Sequence, residues 1–199
     1  MEETIAIRNA TPDDAELICR CLLAAMGILD MGEEPTEEHT TLIESLKRNS
    51  TNPNMLYNYT QTRVAEVDGK PVGCIISYSG DEYEQLREVT FENILKYNNI
   101  DLRDNPLETG PGEYYLDCMA ILPEYRGRKI GHMLMKDASA RGFASGAEVV
   151  TLLVDKSHPR LLSYYRQTGF EELCEMDAFG CSYIKMIAKN KAASDGCGS

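Results

Sequence analysis

The run Val149–Val154 (VVTLLV) carries no charge and is rich in β-branched residues. Such a segment has no polar face to offer water, so it reads as a strand buried on both sides, the habit of a parallel pair covered by helices. Before it come a strand-like stretch, Tyr114–Ile121, a glycine-punctuated turn, 123–131, and an amphipathic stretch in which Ile130, Met133, Leu134 and Ala138 recur at three and four residues. Strand, helix and buried strand make residues 114–154 a βαβ crossover, and the fold around it is α/β.

The remaining segments extend that unit within one domain, as 199 residues allow. Ile5–Arg8 reads as a strand. Thr11-Pro12-Asp13-Asp14 then supplies a cap, a first-turn proline and two acids for a helix whose apolar positions are Ala15, Ile18, Cys19, Leu22 and Leu23, ended by Gly27 or Gly32. A second helix is expected over Thr36–Lys47. Arg63–Val67 and Pro71–Tyr78 flank Asp68-Gly69-Lys70, which predicts an antiparallel hairpin. Residues 81–112 read as an insertion, a helix carrying Leu86, Val89, Ile94 and Leu95 followed by an irregular loop. A helix over Pro159–Thr168 and strands over Phe170–Met176 and Ser182–Ile187 close the domain at 188. The polar stretch 189–199 (KNKAASDGCGS) is expected to be a flexible tail.

Twenty basic against 32 acidic residues give a net charge of −12, which argues against a nucleic-acid partner. Neither a basic, apolar leader nor a membrane-length apolar run is present, so the expectation is a cytoplasmic protein without a membrane partner. Seven scattered cysteines without a CxxC pair read as buried free thiols. The Asn-x-Thr triplets at Asn49 and Asn58 read as chance. His39, His132 and His158 lie too far apart for ligand spacing, so no metal is expected. No GxSxG elbow occurs, and Cys118 is taken as a small buried filler.

The turn over 125–132 carries the chemistry. Glycines after a strand and at a helix start let consecutive N–H groups point outward at the positive end of a helix dipole, where they bind phosphate oxygens. Arg126, Arg128 and Lys129 add charge beside Gly127, Ile130, Gly131 and His132, although a plain turn with a solvated basic cluster is the competing reading. Neither a Walker A loop nor a GxGxxG fingerprint is present.

At these residues the chain resembles the GNAT superfamily of acetyl-CoA-dependent N-acyltransferases. Leu116–Gly131 (LDCMAILPEYRGRKIG) is similar to the family's strand and pyrophosphate turn, and His158–Phe170 (HPRLLSYYRQTGF) to its second motif, in the right order. Lys129 stands where the first glycine is usual, His158 where asparagine is usual, and Leu153 where some members carry a glutamate base. The turn is expected to tolerate Lys129 at negative φ, with the strictest demand on Gly131.

The resemblance implies a mixed central sheet splayed between its fourth and fifth strands, flanked by helices. It further implies transfer of acetyl from acetyl-CoA, without a metal, to a primary amine of a small molecule or peptide by direct attack in a ternary complex. Backbone groups of Met119, Ala120 and Ile121 would pair with the pantetheine arm, amides from Gly127 to His132 would take the pyrophosphate, and His158 would hydrogen-bond the cofactor. Tyr165 would serve the leaving thiolate from within the cofactor site. Asp117 is the candidate base, since alternation puts it on one strand face with Tyr115, Met119 and Ile121. Tyr164 should point elsewhere, about 100° away on the helix. Glu33, Glu34, Glu37, Glu38, Asp81, Glu82 and Glu84 lie in the segments that would build the acceptor site, and favour a cationic acceptor. The altered positions 153 and 158 keep a non-catalytic acyl-CoA-binding or regulatory module as the alternative, and a homodimer is left open.

Overall fold

The computed structural model describes residues 3–190. Its strands are β1 (Ile5–Asn9), β2 (Thr62–Val67), β3 (Lys70–Ser79), β4 (Glu113–Ile121), β5 (Val149–Asp155), β6 (Glu171–Ala178) and β7 (Cys181–Lys189). Its helices are α1 (Ala15–Ala25), α2 (Glu37–Ser50), α3 (Tyr83–Asn98), α4 (Ile130–Ala144) and α5 (Pro159–Gln167). The strands form one mixed sheet in the order β1-β2-β3-β4-β5-β7-β6, antiparallel except for β4 with β5.

Local chemistry explains the connections. Asp68 and Gly69 both adopt positive φ, 50° and 78°, the geometry of a type I′ turn whose twist matches its flanking strands. Phe179 and Gly180 do the same, at 50° and 77°, between β6 and β7. Thr36 caps α2, its hydroxyl accepting from the His39 amide at 3.2 Å. Helix α1 stops at Ala25, ahead of Gly27, and α2 runs past Lys47 to Ser50. Asn58, fully buried, caps the turn 59–61 through its side-chain oxygen. β7 continues to Lys189, which pairs with Val149, so residue 189 belongs to the sheet and not to the tail expected from there; residues 191–199, with Cys197, lie outside the described residues.

The two sheet faces bury separate cores. α1, α2 and α3 press Ile18, Leu23, Ile43 and Phe91 onto Val64, Ile76, Tyr78 and Tyr115. α4 and α5 press Leu134, Ala138 and Leu162 onto Val72, Leu116, Val150, Leu152 and Met186. Each large apolar side chain so buried stabilises the fold by roughly 1.5–3 kcal/mol, which is why β5, covered on both sides, can carry no charge along its middle.

Candidate active site

The parallel pairing of β4 with β5 is short. It covers Glu113↔Val149, Tyr114↔Val150 and Tyr115↔Thr151, while β4 stays paired with β3 as far as Ile121↔Gly73 and β5 with β7 as far as Asp155↔Tyr183. Beyond Tyr115 the two strands therefore part, leaving the β5-facing edge of Met119, Ala120 and Ile121 without a neighbouring strand. The register shift between Ile76 and Ser77, opposite Leu116 to Cys118, is a β-bulge, which bends its strand and sharpens the local twist.

At the end of β4 the chain turns into α4. From Gly127 to His132 no main-chain N–H has an acceptor among the described residues; the first helical bond runs from the Met133 amide to the Lys129 carbonyl at 3.1 Å. No side chain among the described residues caps the helix start. Six consecutive donors thus collect at the positive end of a 15-residue helix, a ready cradle for an anion.

The strain in this turn falls elsewhere than expected. Gly127 and Lys129 carry the positive φ values, 79° and 63°, whereas Gly131 lies inside the helix, where an added Cβ would meet the Ile121 and Met119 side chains at 3.3 and 3.5 Å. Lys129 is thus in the left-handed region that a glycine adopts freely, not at negative φ. Two of the three basic side chains are already engaged. Arg126 donates to the Ile121 carbonyl at 2.9 Å and pairs with Asp30; Arg128 pairs with Glu3 and lies over the Tyr125 ring. Lys129 makes no ion pair among the described residues.

Asp117 is half-buried on β4. It accepts from the Tyr78 hydroxyl at 2.5 Å and from the Cys118 thiol at 3.1 Å, and burial pushes its carboxyl above the ordinary value. The face expected for it needs correction. The bulge breaks the alternation, so Tyr115, Cys118 and Ala120 pack on the α1 side while Met119 and Ile121 pack on the α4 side. Asp117, bonded to Tyr78, belongs with Tyr115 on the α1 side.

Tyr165 packs edge-on against Phe170, ring centroids 5.9 Å apart. Burial, then Tyr164 and Cys118, push its hydroxyl up to about 12. Tyr164 does not point away: its ring lies 5.5 Å from that of Tyr165 and both pack on the same core, because an apolar helix stripe is wide enough to hold neighbours about 100° apart. His158 starts α5, 65 % exposed, with its ring against the Ser157 hydroxyl at 3.1 Å. Leu153 packs on the α1-side core.

Several acids picked out from the sequence serve local turns. Glu33 accepts from the Asp30 amide, and Asp81 from the Gly112 amide and the Ser79 hydroxyl. The acid that is deeply buried in this region is Glu108, 6 % exposed, held by the Tyr83 and Tyr115 hydroxyls at 3.0 and 2.8 Å. No sequence pattern marks it; it sits in an irregular loop whose path only packing decides. Among the described residues no group of three or more His, Cys, Asp or Glu is placed to hold a metal ion, and no helix is long and apolar enough to cross a membrane.

A model of the acetyltransferase (GNAT) family matches residues 28–170. The chain is similar to a crystal structure of an acetyltransferase at 28 % identity, covering 92 % of this chain and 98 % of that one, with a TM-score of 0.74. It is similar to an N-acetyltransferase from Staphylococcus aureus Mu50 at 24 % identity, covering 92 % and 100 %, with a TM-score of 0.72. The PaiA N-acetyltransferase from Thermoplasma acidophilum in complex with coenzyme A shares the fold at 19 % identity, covering 94 % and 99 %, with a TM-score of 0.53.

Proposed function

The chain belongs to the GNAT acetyltransferase family, and on that premise we propose that it moves an acetyl group from acetyl-CoA to a primary amine of a cationic small molecule or peptide, both substrates being bound when the amine attacks. One observation carries the reading: six main-chain donors, Gly127 to His132, without acceptors among the described residues, beside a strand edge without a neighbour among them. A diphosphate fits the donors, and an extended, amide-bearing arm fits the edge as an added strand. Coenzyme A joins those two chemistries in one molecule, and the coenzyme A complex of the Thermoplasma relative supports the assignment. When bound, acetyl-CoA supplies an activated thioester carbonyl.

The residues divide the work. Amides from Gly127 to His132 take the pyrophosphate, with Arg126, Arg128 and Lys129 around them and His158 at the start of the neighbouring helix. Met119, Ala120 and Ile121 hold the arm, and an amide among them stabilises the carbonyl oxygen as it gains charge. Asp117 accepts the amine's proton, directly or through water. Tyr165 serves the leaving sulfur by hydrogen bonding. A phenol held at about 12 is a weaker acid than a thiol at about 8.5, so full transfer of its proton is uphill while a hydrogen bond to the thiolate is not. The net charge of −12 draws a cationic acceptor towards the surface.

The test is calorimetric titration with acetyl-CoA, joined to a free-thiol release assay over a panel of primary amines. Binding together with amine-dependent thiol release is the expected result. A protein that ignores acetyl-CoA, or binds it and releases no thiol with any amine, overturns the reading.

A further inference from the structure

Asp117 and Glu108 share one side of the sheet and are tied together by tyrosines. Tyr78, which donates to Asp117, has its ring 5.7 Å from that of Tyr83 and 5.8 Å from that of Tyr115, and those two donate to Glu108. The loop carrying Glu108 is held in place from both flanks. Arg87 of α3 donates to the Leu102, Arg103 and Asn105 carbonyls, and the Asn105 side chain accepts from the Phe179 amide at 2.6 Å.

The pair is electrically incomplete. Neither acid has a basic partner within ion-pair distance among the described residues; the cation that Glu108 feels is Arg87, whose Nη2 goes to those carbonyls while its buried Nε has no hydrogen-bond partner among the described residues. Buried acids are ordinarily paired or neutralised. A separate observation points outward. Tyr57, in the loop after α2, is 8 % exposed and sits at a φ of 64°. Its hydroxyl has no hydrogen-bond partner among the described residues, although it lies in the field of Asp117, Glu108, Tyr83 and Cys118. The ring is buried, but the hydroxyl oxygen is not one of the fully buried polar atoms left without a partner among the described residues, so it keeps contact with solvent while lying in the field of two acids that have no ion pair.

We propose that Glu108 is a positioning member of the proton-accepting unit: Asp117 meets the incoming amine and takes its proton, Glu108, linked to it through Tyr78, Tyr83 and Tyr115, shares that proton, and together with the Tyr57 hydroxyl they select a primary alkylammonium. This rests on the acetyl-transfer reading. The ammonium gives one proton to the doubly ionised pair. The freed nitrogen forms the N–C bond, the C–S bond breaks with its electron pair leaving on sulfur, and the second nitrogen proton goes to that thiolate, leaving amide and thiol. The pair then returns its proton to water.

The surroundings suit that role. Burial first, and then the charge of Asp117, push Glu108 up to about 7, so the last proton leaves the pair near neutrality. The groups facing the pair are Tyr57, Tyr78 from β3, Tyr83 and Arg87 from α3, Tyr115 and Cys118 from β4, Cys21 from α1 and Tyr183 from β7. The tyrosines and thiols among them are shifted upward, so they stay neutral where the acids titrate.

The test uses n-butylamine as the acceptor and reads kcat/KM against pH in the wild type and in Glu108→Gln. The wild-type profile should bend near pH 7. In Glu108→Gln the bend should move down by about one unit, since Asp117 loses a like charge, and kcat/KM at neutral pH should fall about tenfold, with acetyl-CoA affinity unchanged. A profile that only scales, with its bend unmoved, overturns the role of Glu108. Tyr57→Phe removes one oxygen and should raise KM for n-butylamine several-fold; an unchanged KM overturns the part given to Tyr57. With 11 tyrosines and no tryptophan, intrinsic emission reads these rings without turnover. n-Butylammonium should alter it and n-butanol should not, and an amine that changes neither emission nor thiol release overturns the alkylammonium assignment. Failure to bind acetyl-CoA would instead sink the acetyl-transfer reading itself.

Discussion

Lys185 on β7 donates from Nζ to Glu113 on β4 at 2.9 Å, reaching past β5, with the two side chains only 11 % and 21 % exposed. The other Glu113 oxygen accepts from the Thr109 and Thr151 hydroxyls. Glu113 is the first rung of the short parallel pairing, so this ion pair fastens the strands where the opening begins. Removing one end leaves a poorly solvated charge without its partner. Lys185→Met should destabilise the fold by about 2 kcal/mol, less than a fully buried pair because water reaches Glu113. The double variant Lys185→Met, Glu113→Leu should recover part of that loss. Urea midpoints measure both; a single variant as stable as the wild type would remove the fastening role.

Lys129 faces opposed demands. Its left-handed backbone costs about 1–2 kcal/mol for a residue with a Cβ, and glycine returns part of that while loosening the unfolded chain. Lys129→Gly should therefore raise stability by up to about 1 kcal/mol. The same change deletes the basic side chain of this turn that has no ion pair among the described residues, so coenzyme A should bind a few-fold more weakly and with a flatter dependence on salt. Thermal unfolding and calorimetry at two ionic strengths separate the two effects; a variant that is both less stable and unchanged in affinity contradicts the argument.

How far the residues alone reveal this molecule depends on which forces act locally. The β4–α4–β5 crossover was legible because a strand covered on both faces must be apolar throughout, and the Asp68-Gly69 turn because few residues accept two positive φ values in succession. The donors from Gly127 to His132 follow from a helix beginning just after a strand. The face of Asp117 was not legible: alternation assumes an unbroken register, and the bulge opposite Ile76 and Ser77 shifts everything beyond it. Glu108 was hidden for another reason. Its burial is set by Arg87, Asn105 and Phe179 holding a patternless loop, contacts that join distant parts of the chain, whereas the acids that stood out as clusters, Glu33 and Asp81 among them, close turns.

Tyr165→Phe isolates one hydroxyl. The ring keeps its contact with Phe170, so stability should change by less than about 1 kcal/mol. In the proposed role the hydroxyl serves the leaving sulfur alone, late on the reaction path, so kcat should fall about 10–100-fold while the affinity for acetyl-CoA holds within twofold. Equal losses in kcat and in acetyl-CoA affinity would assign the ring to cofactor packing instead.

Glu108 also predicts an unusual dependence of stability on pH. Its carboxyl titrates near 4.5 in an unfolded chain and near 7 in the fold, raised by burial and by Asp117. A raised acid favours the folded state fully below the unfolded value, and that advantage drains away between about pH 4.5 and 7. Above 7 the fold carries a buried charge at a cost on the order of 3 kcal/mol relative to the neutral acid. Glu108→Gln removes the titration and leaves a side chain that still bonds the Tyr83 and Tyr115 hydroxyls. Chemical denaturation should therefore find the variant more stable than the wild type at pH 8, with the gap closing or reversing at pH 5. A constant difference across that range would mean that Glu108 ionises in the fold as it does in water, and that the tyrosines, not the proton, hold it there.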